Sequence, residues 1–235
     1  LAGFTTGTTT VLFGFGGGFV VVPFVYQLLV RQPPLASDAM HIAVATSTAV
    51  MIFNAGWVSF QNWRAGRLSL PILFPLLWFI AVGAVAGSWL AGILSEVLIR
   101  ELFIFYMLIT IGDCLLRKDF FSGNAPRRLS LLTVTGGGML IGTIAALLGV
   151  GGSVMTVPLL RRHGHTMREC ISAANPLSLP VALCGAVTYA ISGWHKISAG
   201  GFVGFISLKI LGLLLVAGWA GIVFSRRVIP AVPDV

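Results

Sequence analysis

Charge is scarce in this chain. Only 9% of its 235 residues are Asp, Glu, Lys or Arg, and just 7 are acidic. A water-soluble domain carries about 25% charged residues. The chain cannot cover a water-facing surface, which excludes soluble enzymes, secreted disulfide scaffolds and disordered segments. Cysteine is scarce too: Cys114, Cys170 and Cys184 form no CxxC pair and lie in or beside apolar runs. An odd, scattered set excludes a disulfide framework and a cysteine metal site, and all three read as small apolar residues. Neither HExxH nor GxSxG occurs, so the usual zinc-protease and serine-hydrolase patterns are missing. No enzyme activity, metal or cofactor is expected.

What is present is hydrocarbon, glycine and proline: 57% hydrophobic residues, mean hydropathy +0.96, 29 Gly and 11 Pro. That composition reads as an all-α, polytopic membrane protein. Seven apolar runs qualify as spans: 1–30, 41–60, 71–94, 98–116, 129–160, 170–193 and 201–225. The first and fifth are too long for one helix and each contains a glycine cluster, so eight to nine membrane segments are expected, broken helices included. Leu1 stands inside an apolar run and no signal peptide is visible, so the first helix is expected to lack part of its length. The net charge of +8 sits in short loops between runs, where cytoplasmic loops collect Lys and Arg. No basic segment is interleaved with aromatics as a nucleic-acid surface requires.

The two long runs resemble each other. Gly14-Phe15-Gly16-Gly17-Gly18-Phe19-Val20-Val21-Val22-Pro23 aligns with Gly149-Val150-Gly151-Gly152-Ser153-Val154-Met155-Thr156-Val157-Pro158. Three glycines, one valine and the proline coincide at a constant offset (149 − 14 = 135). A small-polar helix follows each, with Thr46-Ser47-Thr48 in one and Ser172, Asn175 and Ser178 in the other. The spacing predicts an internal duplication: a first repeat over 1–116, a basic cytoplasmic linker over 117–128 and a second repeat over 129–235. Charge then sets topology. If 129–160 enters and leaves on one side, Arg64, Arg67, Arg117, Lys118, Arg127, Arg128, Arg161, Arg162, Arg168, Arg226 and Arg227 share a face. Only Arg31, Arg100 and Lys196 fall opposite. The positive-inside rule then puts loops 61–70, 117–128 and 161–169 and the C-terminus in the cytoplasm, and the repeats are inverted.

Gly16, Gly17, Gly18, Gly151 and Gly152 would expose backbone N–H groups where short helices begin, a natural anion site. Close helix packing is the competing use of glycine, and it is the one expected at Gly83/Gly87 and Gly138/Gly142. Gly14, Pro23, Gly149 and Pro158 are the expected break and gating positions. Thr46, Ser47, Ser153 and Asn175 could bond an oxyanion or serve as interhelical ties. Lys209 falls well inside the run 201–225, and an ionisable group there is a candidate for function; snorkelling is the alternative. His41 and Asp38 flank the helix bearing Thr46, as a proton relay or as an interfacial cap. Asp113 is expected to pair with Arg117 near the interface. His163 and His165 form an HxH without enough further ligands for a metal. Trp57, Trp63, Trp78, Trp89 and Trp194 mostly lie near run ends, as interfacial anchors do.

The pairing of GFGGGFVVVP with GVGGSVMTVP, followed by AVATS and SAANP, resembles the TauE/SafE-type sulfite and sulfonate exporter family over most of the chain. The resemblance implies a cytoplasmic-membrane carrier for small sulfur-containing anions. By motif match it implies one half-site from Gly14 to Pro23 with Thr46 and Ser47, and another from Gly149 to Pro158 with Asn175. The two differ chemically, since Ser153 replaces the third glycine and Ala174-Asn175 replaces Thr-Ser. The expected protein is a secondary transporter working by alternating access between inverted repeats, with proton coupling and a homodimer as further expectations. A passive anion channel and a membrane scaffold with packing glycines are the alternatives.

Overall fold

The computed structural model describes residues 2–13, 17–68, 70–116, 130–194 and 201–228. The linker 117–128, Gly14 and Gly16 lie outside these described residues. The helices are α1 (Ala2–Phe13), α2 (Gly18–Leu29), α3 (Ala39–Arg64), α4 (Leu70–Ile93), α5 (Glu96–Leu116), α6 (Gly138–Leu148), α7 (Ser153–Arg162), α8 (Met167–Ser192) and α9 (Leu208–Val228). A π-helical turn, Thr133–Gly137, leads into α6, and a two-stranded ribbon, β1 (Phe202–Val203) with β2 (Ile206–Ser207), precedes α9. The chain is an all-α polytopic membrane protein. Four of its described helices are long and apolar enough to cross a membrane, at Ala36–Arg64, Leu73–Ile93, Met167–Ser192 and Leu208–Ser225. The short helices are the pieces of the two glycine-interrupted runs.

At the centre stand α3 and α8, side by side and antiparallel, with Thr48 against Gly185 and Gly56 against Leu179. Almost every residue from Ala39 to Met51 is buried. The α8 start is fixed by a reciprocal cap: Thr166 Oγ1 accepts from the Glu169 amide, and the Glu169 carboxylate accepts from the Thr166 amide at 3.0 Å. The other long helices lie outside this pair and bury far less of themselves.

Small residues let two peripheral pairs approach closely. In the first, α6 runs parallel to α4: Gly138 meets Phe79, Gly142 meets Ile80 and Ala84, and Thr143 donates to the Gly83 carbonyl at 3.1 Å. In the second, α1 runs parallel to α9, with Gly3 on Leu214 and Gly7 on Gly218 and Ile222. The expected packing role of Gly83, Gly87, Gly138 and Gly142 is what the structure displays.

These directions place the two broken runs. α3 runs from His41 to Arg64 and α4 returns, so α6 points toward the His41 end and α7 folds back toward the Arg64 end. α9 starts at the His41 end, where the Phe205 ring stacks on His41 at 5.3 Å. α1 follows α9 toward the Arg64 end and α2 turns back. The helical hairpins α1–α2 and α6–α7 therefore reach into the bundle from opposite ends. Arg64, Arg67, Arg161, Arg162 and Arg168 stand at one end, with Arg31 and Arg100 at the other.

The tightest seam generates a test. A methyl group on Gly142 would overlap the Ile80 carbonyl, a backbone atom that cannot swing away. Gly142→Ala is expected to destabilise the protein by about 1–3 kcal/mol, read as the thermal midpoint in detergent. Gly56→Ala, whose methyl meets only Leu179 Cδ2 at 3.7 Å, is expected to leave the midpoint near the unaltered value.

Candidate functional site

The first break ends at Gly17, whose φ of 89° is left-handed and open to glycine at little cost. The second begins at Gly149, left-handed at φ 65°, which closes α6 by donating to the Ala145 carbonyl. Each break is followed by a helix whose start has no side-chain cap, at Gly17 for α2 and Gly152 for α7. The Val20 and Val21 amides turn to the Gly17 carbonyl, and the Val154 and Met155 amides to those of Gly151 and Gly152, while the positive end of each helix dipole faces its break. The two breaks touch. A side chain on Gly18 would run into the Gly149 carbonyl, Val150 Cα at 3.0 Å and Ser47 Oγ at 3.1 Å. Pro23 and Pro158 are the sixth residues of α2 and α7, inside helices that continue through them. This corrects the expectation that they mark breaks: each withholds one N–H from its helix, and glycine supplies the interruption.

Side chains of the central pair tie these breaks down. Ser47 Oγ donates to the Gly149 carbonyl at 2.8 Å. Asn175 Nδ2 donates to the Thr10 carbonyl in the last turn of α1 at 3.4 Å. Both ties cross between halves of the sequence: α3 holds the second break and α8 holds the helix leading into the first. The half-sites that motif order suggests are thus interleaved in space. Thr46 is fully buried and accepts from the Ser207 amide at 3.2 Å, which pins the ribbon against α3.

Two polar atoms here are buried without any partner, Ser153 Oγ and Asn175 Oδ1. Both residues are 0% exposed. A buried polar atom left unpaired costs about 1–3 kcal/mol, and such atoms mark places completed by water or ligand. Among the described residues, the buried polar set holds no Lys, Arg, Asp or Glu. The polarity of the site comes from helix starts, hydroxyls and an amide.

His41 is at the other end of α3 from Arg64. Its Nδ1 lies 2.9 Å from Glu96 Oε2, and its amide donates to the same oxygen at 3.3 Å. The Met40 amide donates to Glu96 Oε1. Glu96, at the start of α5, thus caps α3 in place of Asp38, which makes no side-chain cap and accepts from Ser37 Oγ instead. Lys209 departs from expectation. Residues 202–207 form the ribbon, the helix begins only at Leu208, and Lys209 is exposed in its first turn. It lies at the end of a span and away from the glycine breaks. Asp113 falls late in α5, while its expected partner Arg117 lies outside the described residues.

Sequence reasoning missed Glu96 and Thr10. An acid opening an apolar run was the available signal for Glu96; for Thr10, whose backbone carbonyl does the work, there was none. Ser47→Ala is expected to cost about 0.5–1.5 kcal/mol of stability, because it removes the tie to Gly149. Unfolding midpoints of the purified variant and parent would read this directly.

Comparison with known proteins agrees with this architecture. The family model described as "Sulfite exporter TauE/SafE" matches residues 1–235. A probable membrane transporter protein of Haemophilus influenzae is 28% identical over 204 residues, covering 83% of this chain and 72% of that protein. A probable membrane transporter protein of Methanocaldococcus jannaschii is 20% identical over 244 residues, covering 98% and 86%. No solved structure matches. A whole-chain match, on a bundle whose two glycine breaks meet at its centre, makes this protein a member of the TauE/SafE sulfite exporter family of membrane transporters.

Proposed function

We propose that this protein is a secondary carrier for small sulfur-containing oxyanions, sulfite or organosulfonates, and that the anion binds where the two glycine breaks meet. The carrying observation is the contact of Gly18, at the start of α2, with Gly149 and Val150, which lie three to four residues before the start of α7, so that one helix start meets the other glycine break. Helix starts that converge near the midplane are how many transporters hold anionic groups. Each contributes about 0.3–1 kcal/mol of attraction, rising to about 2 when partly buried. Ser153 Oγ and the second N–H of Asn175 add donors. With no buried Lys or Arg among the described residues, attraction stays modest and the anion can leave again.

The halves 1–116 and 129–235 act as inverted repeats in this reading. Three facts support it. α1 packs parallel on α9 as α6 does on α4, the α1–α2 and α6–α7 hairpins enter from opposite ends, and the Ser47 and Asn175 ties cross reciprocally. Rocking one half on the other along the α3–α8 contact then alternates access. The basic Arg64 end faces the cytoplasm of a cell membrane by the positive-inside rule. If transport is proton-coupled, the half-buried His41–Glu96 pair is the candidate carrier of the proton.

Ser153 gives the cleanest test. Its hydroxyl bonds nothing in the fold, so Ser153→Ala is expected to keep or slightly raise the thermal midpoint without ligand. An anion that binds the folded state raises the midpoint by mass action. Sulfite, thiosulfate, isethionate, taurine, sulfate, lactate and chloride would be compared at equal ionic strength. A selective rise with a sulfur oxyanion that shrinks in Ser153→Ala is the expected result. Absence of any selective rise, together with no flux of these anions into protein-loaded liposomes, would defeat the proposal.

A further inference from the structure

Seven buried side-chain atoms among the described residues lack a hydrogen-bond partner: Asn54 Nδ2, Ser59 Oγ, Gln61 Oε1, Tyr106 OH, Ser153 Oγ, Asn175 Oδ1 and Ser225 Oγ. Ser153 and Asn175 belong to the breaks. Two of the rest, Asn54 and Gln61, fall in one row with Ser47. Ser47, Asn54 and Gln61 are spaced by seven residues on α3, which keeps them on one face about 10.5 Å apart. The Asn54 amide abuts Gly218 of α9, with both side-chain atoms 3.3 Å from where a Cβ would stand. α3 and α9 both run from the His41 end to the Arg64 end. Seven residues beyond Asn54 and Gly218, toward the same end of these parallel helices, come Gln61 and Ser225, each with a buried side-chain oxygen that has no partner. Asn54 is 3% exposed and Ser225 1%.

The matching stretch of the other half is different. The tie that Ser47 makes from α3 is made by Asn175 from α8, an offset of 128 (175 − 47). Gly221 packs on Phe4 as Gly83 packs on Met139, an offset of 138 between α4 and α9 (221 − 83). Under these offsets Asn54 corresponds to Ala182, Gln61 to Tyr189 and Ser225 to Gly87. Ala182 is fully buried, and the Tyr189 hydroxyl already donates to the Leu147 carbonyl at 3.2 Å. A methyl on Gly87 would overlap the Thr143 carbonyl. One seam carries unpaired polar atoms at these positions, and the corresponding positions of its counterpart carry none.

We propose that the seam between α3 and α9, lined by Asn54, Gln61 and Ser225, is a wetted route that joins the glycine breaks to the Arg64 end, and that the α8–α4 seam is its closed counterpart. Polar atoms at membrane depth need partners, and water supplies them where two or more such groups converge. Asn54 offers N–H donors and Ser225 a hydroxyl, which can take over hydration of a passing anion. The route rests on the carrier function proposed above, but its wetness can be measured without any substrate.

The experiment uses protein reconstituted in liposomes with Cys114, Cys170 and Cys184 replaced by Ala. Asn54→Cys, Ser225→Cys and Ala182→Cys are each exposed to a charged, membrane-impermeant thiol reagent. Asn54→Cys and Ser225→Cys are expected to react at least about tenfold faster than Ala182→Cys when the reagent reaches the Arg64 face. Equal rates for all three, or no reaction at any, would overturn the route even if the anion binds at the breaks. Asn54→Leu adds an independent reading. With its thermal midpoint retained, it is expected to slow flux of whichever anion stabilises the parent by about tenfold, the loss that goes with removing one buried partner of a polar solute. Flux equal to the parent's would contradict the role of Asn54. If Asn54→Leu fails to fold, the labelling rates decide alone.

Discussion

In hydrocarbon, a backbone N–H or C=O without a partner costs several kcal/mol, so a chain can leave the helical state at membrane depth only against other protein or a wet cavity. The rest of this structure follows from how that demand is met. The glycine breaks interrupt two long apolar runs, and among the described residues the second is tied both by its own segment, through the Gly149 and Val150 amides on the Ala145 carbonyl, and from outside. Gly149 presents its carbonyl to Ser47. Gly18 comes so close to Gly149 and Val150 that no side chain fits between them. The start of α2 thus serves as wall to the second break, and two buried atoms nearby, Ser153 Oγ and Asn175 Oδ1, stay unpaired.

That arrangement explains why α3 and α8 are so thoroughly buried and yet so polar. They carry the side chains that reach the breaks, and they must lie side by side to do so. Pro176 sits one residue after Asn175 inside α8, so the helix gives up a backbone hydrogen bond next to the amide that ties down α1. The peripheral pairs have simpler needs. α4 with α6 and α1 with α9 are joined through glycines that admit backbone contact, and their outer faces present Trp78, Trp89, Leu213 and Trp219 to lipid.

Much of this was legible in the residues. Low charge and long apolar runs gave the class; glycine clusters inside runs too long for one helix located both breaks. The Arg distribution gives α3 and α7 a shared end. What stayed hidden was contact between residues far apart in the chain. Motif order groups Ser47 with Gly17 and Gly18, whereas its hydroxyl is committed to Gly149. Glu96 looks like a stray interfacial acid, yet it supplies the cap that Asp38 was placed to give. Lys209 misled because apolar composition cannot separate a ribbon over 202–207 from the first turns of a helix. Asn54 and Gln61 are unremarkable singly, and only the parallel run of α9 shows that they line a seam.

The crossing ties also bear on how the protein is made. Chains emerge from the ribosome at about 5–20 residues per second. Ser47 therefore waits roughly 5–20 s for Gly149, which lies 102 residues later. The amides of Met40 and His41 wait about half as long for Glu96, 56 and 55 residues on. Until then the Ser47 hydroxyl and the Met40 and His41 amides lack the partners they have in the folded protein. The order of synthesis thus creates a window in which the nascent half depends on water, lipid headgroups or the insertion machinery for partners that its own C-terminal half later provides.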